Sequence, residues 1–405
     1  MLTLDKIYQA AFTLKSVARK TDLLYAANLS NSAQIYLKSE NLQVTGSFKL
    51  RGAYNKISAL TEDQRAAGII ACSAGNHAQG VALAATRMGI RSVVCMPDGA
   101  PISKVEATKR LGAEVVLVKG AYDDAYAYAC RLQEETGATF IHPFNDELVI
   151  AGQGTIGLEI LDQLPDVDAV IVPVGGGGLI SGVACAVKSL NPNVKVYGVQ
   201  AANAPSMAQS QSQGHIVTLD TVATFADGIA VKTPGELTFE MTKAYVDDVV
   251  TVSEDETAAA ILALIEQQKL IAEGAGAVSV AAAMFSGKLP IEGKKVVCIV
   301  SGGNIDVNIL SRVITRGLVM GGRNSVLQIA LEDKPGQLLG VSEIISRCGG
   351  NVVSVHHERS DANMAISSCF LKIGMETRDF AQIQTIKDEL TRAGFQIMSD
   401  RIQES

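Results

Sequence analysis

Residues 170–182 read Val-Ile-Val-Pro-Val-Gly-Gly-Gly-Gly-Leu-Ile-Ser-Gly, an apolar run followed by four glycines and a segment of small residues. The apolar run predicts a buried strand, and the segment after it predicts a helix that begins at the glycines. A glycine-rich loop at a helix N-terminus presents main-chain N–H groups that bind phosphate. The spacing fits neither GxGxxG with a following acid nor a Walker loop, which disfavours a dinucleotide site. Gly175, Gly176, Gly177 and Gly178 are therefore candidate phosphate-binding residues.

The same alternation of short apolar runs and helical patterns extends from about residue 6 to residue 320. Strands of near-continuous Val and Ile, separated by helices, are typical of parallel sheets that are covered on both faces. We therefore predict an α/β fold. The predicted strands are 68–72, 91–96, 114–118, 169–174, 195–200 and 295–300, and the predicted helices are 78–88, 104–111 and 122–135.

The pattern breaks at residues 317–325, where two adjacent glycines predict a linker. Beyond it, strands are predicted at 325–331, 351–358, 364–373 and 395–399, and helices at 337–348 and 378–393. The order β-α-β-β-α-β is that of ferredoxin-like domains. We therefore predict a second domain over residues 325–405.

Composition narrows the class of protein. The chain has 405 residues, 47% of them hydrophobic, and a net charge of −7, which allows large cores and offers no basic surface for nucleic acid. No apolar run approaches the ~20 residues of a membrane span, and the first residues lack the pattern of a signal peptide. Seven widely spaced cysteines without a CxxC indicate free thiols in a reducing compartment. We therefore predict a cytoplasmic protein without a metal site.

A lysine lies in an apolar setting within residues 45–55, Thr-Gly-Ser-Phe-Lys-Leu-Arg-Gly-Ala-Tyr-Asn. Lys49 follows Phe48 and opens a predicted helix. Because a helix N-terminus disfavours a cation, this position lowers the pKa of the lysine and favours its neutral, nucleophilic form. Such an amine forms a Schiff base with an aldehyde cofactor. A solvated surface lysine is the alternative interpretation.

A second strand-to-helix turn occupies residues 72–80, Cys-Ser-Ala-Gly-Asn-His-Ala-Gln-Gly. Its small residues bring the N–H groups of the helix start close to a ligand, and such a terminus binds carboxylate or phosphate. A simple βα turn does not explain why Ser73, Asn76, His77 and Gln79 crowd polar side chains there.

A third turn of this kind is Val-Ser-Gly-Gly-Asn at residues 300–304. It places Ser301 at the carboxyl end of a predicted strand, where open α/β sheets bind ligands. On its own, a serine at this position also fits a helix N-cap.

These segments together resemble the threonine ammonia-lyases, in which Ser-Phe-Lys-Leu-Arg-Gly-Ala, Ser-Ala-Gly-Asn-His-Ala-Gln-Gly, the four glycines and Ser-Gly-Gly-Asn occur in the same order. These are fold-type II pyridoxal-phosphate (PLP) enzymes, related to the tryptophan synthase β subunit. The resemblance covers roughly residues 5–320. It implies PLP as cofactor and a catalytic domain over residues 1–320 with two open parallel-sheet lobes, the smaller roughly 40–145. The tail, with Asp-Lys-Pro-Gly-Gln-Leu at 333–338, resembles an ACT domain, an amino-acid-sensing module.

The resemblance also implies a role for each candidate residue. Lys49 is expected to bind the cofactor aldehyde and to take the substrate's Cα proton, and Ser73 with its turn to hold the substrate carboxylate. A neutral hydroxyl at the pyridine nitrogen makes the ring a weaker electron sink, which suits β-elimination. The expected cofactor contacts are Phe48 beside the ring, Asn76 at the 3′-oxygen, Gly175, Gly176, Gly177, Gly178 and Leu179 at the phosphate, Ser301 at the pyridine nitrogen, and Gly228 and Glu273 in the pocket.

The implied reaction is dehydration and deamination of L-threonine to 2-oxobutanoate and ammonia, with activity also on L-serine. An amino-acid or nucleotide effector is expected at the tail, and a homodimer or tetramer as the assembly. A serine dehydratase or serine racemase, in which Ser73 acts as an acid opposite Lys49, remains an alternative, as does a non-catalytic amino-acid sensor.

Metal binding is not expected at two places. Some relatives bind a divalent cation through carboxylates after the strand that here ends at Gln200, but this chain continues Ala-Ala-Asn-Ala-Pro-Ser without an acid. His356 and His357 are adjacent on a predicted strand, so their side chains point to opposite faces and do not share an ion.

Overall fold

The computed structural model describes residues 2–285, 287–359 and 368–400, which divide into two compact units, Met1–Ile309 and Leu310–Ser405. The helices are α1 Leu4–Leu14, α2 Lys49–Ser58, α3 Glu62–Ala67, α4 Asn76–Arg87, α5 Ile102–Arg110, α6 Tyr122–Thr136, α7 Glu147–Gln163, α8 Gly178–Leu190, α9 Ser206–Gln213, α10 Glu236–Tyr245, α11 Glu254–Ala263, α12 Gly274–Met284, α13 Val307–Met320, α14 Gln337–Arg347 and α15 Phe380–Arg392. The strands are β1 Leu23–Tyr25, β2 Gln34–Lys38, β3 Ile69–Cys72, β4 Ser92–Pro97, β5 Glu114–Val118, β6 Thr139–Phe140, β7 Ala169–Pro173, β8 Lys195–Ala201, β9 Asp248–Val252, β10 Lys295–Ile299, β11 Asn324–Glu332, β12 Asn351–Glu358, β13 Ser368–Glu376 and β14 Gln396–Asp400.

The first unit contains two sheets, in agreement with the predicted α/β fold with two parallel-sheet lobes. The smaller sheet has the order β5-β4-β3-β6, and all its pairings are parallel. Its strand β3, Ile-Ile-Ala-Cys, is buried along its whole length, as a strand covered on both faces must be. The predicted strand and helix positions in this lobe agree with those observed to within two residues at each end.

The larger sheet has the order β1-β2-β10-β7-β8-β9. It is parallel except at its edge, where β1 pairs antiparallel with β2. β2 lies near the start of the chain and pairs with β10 near the end of the unit, which closes the lobe over a long sequence separation. The sequence patterns did not predict β1, β2, β6 or β9. β1 and β6 have only three and two residues, too few for a periodicity to stand out. β2 reads Gln-Ile-Tyr-Leu-Lys and β9 reads Asp-Val-Val-Thr-Val, so polar residues interrupt their apolar runs.

Helix α2, which begins with Lys49, packs closely against α7. A Cβ on Gly52 would lie 2.7 Å from the carbonyl oxygen of Val149, and one on Gly152 would lie 2.4 Å from that of Arg51. Since only hydrogen fits at these contacts, the two backbones approach directly. This contact fixes the position of α2 and therefore of its first residue.

A buried ionic network holds the same helix from its other side. Arg51 is 1% exposed, and its Nε and Nη2 atoms each lie 2.8 Å from the Glu40 carboxylate. Its Nη1 atom lies 2.6 Å from Glu159 Oε1, and Lys38 Nζ lies 2.6 Å from Glu159 Oε2. Removing one partner of such a network is costly because it leaves a buried charge unpaired. The network therefore anchors α2 to β2 and α7.

The second unit has the predicted β-α-β-β-α-β order. Its sheet is antiparallel with the order β12-β13-β11-β14, the ferredoxin-like arrangement. Helices α14 and α15 contribute Val341, Ile345 and Ile386 to a core formed with the inward side chains of β11 and β13. Residues 364–367 of one predicted strand lie outside the described residues, and the strand is observed from Ser368.

The linker predicted at residues 317–325 is wrong in its first part. Helix α13 continues through Gly317, which is buried, to Met320, so only three residues separate it from β11. A single glycine costs a helix about 1 kcal/mol, which packing on one face readily outweighs. In the described part of the chain, no helix combines the length and apolar character that crossing a membrane requires.

Candidate active site

A cavity of about 630 Å³ lies between the two sheets of the first unit, at the carboxyl ends of β3, β7 and β10. Open parallel sheets bind ligands at this edge because the loops diverge there. Its lining includes all the candidate residues: Phe48, Lys49, Ser73, Asn76, Gly175, Gly176, Gly177, Gly178, Leu179, Gly228, Glu273 and Ser301.

Lys49 is the first residue of α2 and projects its amine into the cavity. Its Nζ atom donates to the carbonyl oxygen of Pro143 at 2.8 Å and lies 5.3 Å from the centre of the Phe48 ring. Burial lowers the pKa of the Lys49 amine to about 8, although the charge of Glu273 opposes this. The predicted direction of the shift agrees, but burial, and not the helix N-terminus, is its main cause.

The four glycines form a narrow loop between β7 and α8. A Cβ on Gly176 would lie 2.5 Å from atoms of the Phe144 ring, and one on Gly177 would lie 2.7 Å from the Met207 methyl group. Gly177 also has a φ of +94°, which residues with a side chain rarely adopt. Thr238 donates its hydroxyl to the carbonyl oxygen of Gly176 at 2.6 Å and so fixes the loop from behind.

The start of α8 is suited to an anion. No side chain caps this helix, which is 13 residues long, so its first N–H groups are not occupied by a side-chain acceptor. Unpaired N–H groups and the helix dipole together attract negative charge. The loop and the helix start therefore form a cradle for a phosphate group.

A second uncapped helix start faces the same cavity. Helix α4 begins at Asn76, and Gly75 before it provides no side-chain cap. Ser73 accepts a hydrogen bond from the N–H of Gly75 at 3.2 Å, which keeps the turn tight. The N–H groups of this turn can donate to a carboxylate, at a position different from that of the phosphate cradle.

A chain of side-chain hydrogen bonds crosses the floor of the site. Asn76 donates through Nδ2 to Glu273 Oε1 at 2.5 Å. Asn304 donates to Asn76 Oδ1 at 2.7 Å and to the carbonyl oxygen of Thr45 at 2.8 Å. Asn304 stands at the end of the Ser-Gly-Gly-Asn motif, but sequence reasoning assigned it no role, because nothing in the chain indicates which amide it would orient.

Burial raises the pKa of Glu273 to about 7, and the nearby charge of Asp227 adds to the increase. The side chain is 3% exposed. Asp227 itself forms an ion pair with Lys104 at the rim of the cavity. Glu273 is therefore a carboxyl group that readily holds a proton near neutral pH.

Ser301 follows β10, as predicted, and is 3% exposed. Its carbonyl oxygen accepts the N–H of Phe48 at 3.1 Å, which joins the Lys49 segment to this strand end. The hydroxyl donates to the carbonyl oxygen of Ala275 at 3.3 Å. The group that Ser301 offers to the cavity is thus a neutral hydroxyl.

The sequence profile of the family described as "Pyridoxal-phosphate dependent enzyme" matches residues 14–302, the stretch that builds this cavity. The chain belongs to this family.

This PLP-dependent enzyme is also similar to individual proteins and solved structures. It is 52% identical over 399 residues to an L-threonine ammonia-lyase of Thermotoga maritima, covering 98% of this chain and 99% of the relative. It resembles the solved structure of threonine deaminase isoform 2 from Solanum lycopersicum, with a TM-score of 0.74, 41% identity, and 78% and 89% of the two chains covered. It also resembles maize serine racemase, with a TM-score of 0.74, 37% identity, and 79% and 98% covered.

The residues of the cavity fit the cofactor of this family. PLP carries a phosphate, an aldehyde and a pyridine nitrogen. The cradle at α8 excludes any Cβ and offers free N–H groups, Lys49 offers an amine of lowered pKa, and Ser301 offers a hydroxyl. The phosphate, the aldehyde and the pyridine nitrogen of PLP thus each have a protein group that can bind them.

His142 also lines the cavity, although sequence reasoning assigned it no role. Its Nδ1 atom accepts the N–H groups of Phe144 at 3.2 Å and Asn145 at 2.8 Å. Burial lowers the pKa of His142 to about 4. The imidazole is therefore neutral with its proton on Nε2, and it supports the loop that contacts Gly176 and Gly178. No spacing in the sequence signals the contact between Phe144 and the glycine loop, because it joins distant segments of the chain.

The raised pKa of Glu273 predicts a pH-dependent stability of the cofactor-free enzyme. Between its ordinary pKa of 4.5 and about 7, the folded protein keeps a proton that the unfolded chain releases, so stability falls as pH rises through this range. Glu273→Gln removes this loss. As the pH rises from 5 to 8, the free energy of unfolding of the variant should therefore increase by about 2.5 kcal/mol relative to that of wild type.

Urea unfolding at both pH values measures this difference. Glu236→Gln, at an exposed position at the start of α10, is the matched control and should show no such gain. An equal effect of the two substitutions would show that Glu273 does not hold a proton in the folded state.

Proposed function

We propose that this enzyme is a threonine ammonia-lyase, which converts L-threonine to 2-oxobutanoate and ammonia. The observation that carries the proposal is the Lys49 amine, held in one cavity with an open phosphate cradle and a second uncapped helix start. The near full-length similarity to the Thermotoga maritima L-threonine ammonia-lyase supports threonine as the substrate.

In this proposal, each residue of the cavity has a distinct role. Bound PLP supplies an electron sink for the substrate's Cα–H bond. Lys49 takes the proton from Cα, because its amine projects into the cavity with a pKa lowered to about 8, whereas Lys104 and Lys232, which also line the cavity, are paired with Asp227 and Asp123. The turn at Ser73 holds the substrate carboxylate at the start of α4, and Asn76 and Glu273 fix the floor of the site. Ser301 presents a neutral hydroxyl, which favours rapid loss of the β-hydroxyl over a long-lived carbanion.

Comparison of L-threonine with L-serine tests the substrate. We expect 2-oxobutanoate from threonine, pyruvate at a lower kcat/KM from serine, and no accumulation of D-serine on chiral chromatography. The serine racemase alternative predicts D-serine formation that Ser73→Ala abolishes while elimination continues. D-serine appearing faster than pyruvate would replace the threonine proposal by that alternative.

We also propose that the ferredoxin-like unit is an ACT-like regulatory domain over residues 325–405, beside a catalytic domain over 1–320. Maize serine racemase is matched over 98% of its length by 79% of this chain, so the fold occurs without such a tail. The segment from Asp333 to Leu338 follows β11 and includes the first two residues of α14. Helix α14 begins without a side-chain cap, which suits an effector's carboxylate or phosphate.

The regulatory proposal predicts an effect of small molecules on catalysis. We expect isoleucine, valine or a nucleotide to shift the threonine dependence of the rate by about fivefold or more, the usual size of allosteric coupling. Asp333→Ala should abolish the shift but leave the rate without effector unchanged. If all three classes leave both the velocity and the threonine dependence unchanged, the tail is not regulatory.

We also propose that the chain forms a homodimer or tetramer and that it is located in the cytoplasm. Among the described residues, strand β12 is an edge strand with Val353 57% and Val355 41% exposed, and an exposed apolar edge of this kind offers a template for pairing with another chain. The seven cysteines are free, five of them buried, which suits a reducing compartment.

A further inference from the structure

Three side chains of different ligand type meet at one end of the C-terminal sheet. They are Asp333 after β11, His357 on β12 and Cys369 on β13. A carboxylate oxygen, an imidazole nitrogen and the thiol sulfur all lie within 4.8 Å of one another. None of the three residues lines the cavity of the first unit or has a part in the proposed reaction, and Asp333 is also the residue proposed to act in effector binding.

The pairing of the strands explains why they meet. Leu331 pairs with Cys369, and Leu371 pairs with His357. Because Leu331, Leu371 and Cys369 face the buried side of the sheet, His357 is placed on the same side, at the rim of the core. Asp333 follows two residues after Leu331 and reaches the same rim. The spacing of these residues along the chain does not reveal the cluster.

We propose that Asp333, His357 and Cys369 form a binding site for a divalent transition metal ion, with Zn²⁺ as the preferred occupant. Nitrogen, sulfur and carboxylate oxygen are the ligands that Zn²⁺ takes in proteins. In a tetrahedral Zn²⁺ site with metal–ligand bonds of about 2.0–2.3 Å, two ligand atoms are about 3.3–3.7 Å apart. The separations here are at most 4.8 Å, so side-chain rotations that bring the ligand atoms closer by about 1 Å complete the site. Three protein ligands leave a fourth position open for water or a small ligand.

The burial of the three residues fits a site that a metal ion enters from the surface. Cys369 is 1% exposed, whereas Asp333 and His357 lie at the surface. A metal ion thus reaches the sulfur from the rim without unfolding the core. Within the described residues, neither His357 nor Cys369 forms a hydrogen bond through its side chain, so no such bond has to be broken.

Arg359 is the competitor for this site. Its Nη2 atom lies 3.1 Å from Asp333 Oδ1 and neutralises the carboxylate that the metal would use. A bound cation must displace this guanidinium. Removing the arginine charge is therefore expected to strengthen metal binding, an effect that a merely structural cluster would not produce.

Cobalt(II) titration of the full-length, PLP-loaded enzyme tests the proposal. We expect one equivalent of Co²⁺ to produce a thiolate charge-transfer band in the near ultraviolet, and Zn²⁺ to displace it. Cys369→Ser should abolish the band. Because Cys369 belongs to the core, the surface variants Asp333→Asn and His357→Gln provide a second test, and each should weaken binding about tenfold or more.

Two further variants make the result decisive. Arg359→Gln should tighten Co²⁺ binding severalfold, and His356→Gln, on the opposite face of the same strand, should leave it unchanged. The absence of a charge-transfer band in wild type at millimolar Co²⁺ would overturn the proposal. So would a band that survives His357→Gln with unchanged affinity. Threonine turnover is read separately, so failure of the metal site leaves the proposed function untouched.

Discussion

Replacing Lys49 by alanine is expected to lower the rate of 2-oxobutanoate formation from L-threonine by about 10³-fold or more. The Lys49 amine lines the cavity with a pKa lowered to about 8, and in the proposed function it both binds the cofactor and moves the substrate's Cα proton. Steady-state kinetics with saturating PLP measures the loss. Borohydride reduction followed by peptide mass mapping should attach the cofactor to Lys49 in wild type and nowhere in the variant.

Lys56→Ala is the matched control on the same helix. Lys56 pairs with Asp146 at 2.7 Å and does not line the cavity, so its loss should leave kcat within about twofold of wild type. Near-normal turnover by Lys49→Ala, or borohydride labelling at another lysine, would contradict the assignment of Lys49.

Replacing Gly177 by alanine is expected to weaken PLP binding about 100-fold, since overpacking and a forbidden backbone angle together cost several kcal/mol. The new methyl group would meet the Met207 methyl at 2.7 Å and the Thr238 side chain at 2.8 Å, and the backbone has a φ of +94°. The Thr238 Cβ atom cannot rotate out of the way, so the loop itself must shift, which alters the arrangement of N–H groups that would bind the phosphate. Fluorescence titration of the cofactor-free protein with PLP measures the affinity.

Gly214→Ala separates the effect of backbone strain from the effect of the steric clash. Gly214 has a φ of +74°, and a Cβ there would meet nothing within 4 Å. This substitution therefore carries the backbone strain without a clash and lies outside the cavity lining. It should lower the melting temperature but leave PLP affinity unchanged. Equal PLP affinities of the two variants would mean that the glycine loop does not hold the phosphate.

The strongly periodic parts of the chain were predictable from sequence. The strands β3, β4, β5, β7, β8 and β10 agree with the prediction, because short runs rich in Val and Ile that alternate with helical patterns have few other interpretations. All of them except β5 are buried along most of their length. Each predicted site residue except Gly228, which lies in a short 3-10 turn between α9 and α10, belongs to a turn at the carboxyl end of such a strand or at the start of a helix. Since parallel strands bring these ends to one edge, the turns converge on one cavity.

Some of the parts that sequence did not predict depend on contacts between distant segments. The pairing of β2 with β10 and the hydrogen bond from Asn304 to Asn76 join residues that are far apart in the chain. The pairing of β1 with β2 and the hydrogen bonds that His142 accepts from Phe144 and Asn145 are local, but no periodicity predicts them. The helix α13 runs past the predicted linker start because packing of its buried face outweighs the helix-breaking tendency of Gly317.

Addition of L-threonine to the purified, PLP-loaded enzyme, with 2-oxobutanoate and ammonia followed in time, tests the central claim most directly. The proposed threonine ammonia-lyase activity predicts a visible absorption band from bound PLP and rapid formation of the two products in equal amounts. A stable band with no 2-oxobutanoate from threonine would contradict the proposed substrate. The absence of any band after addition of PLP would contradict the assignment of the cofactor site itself.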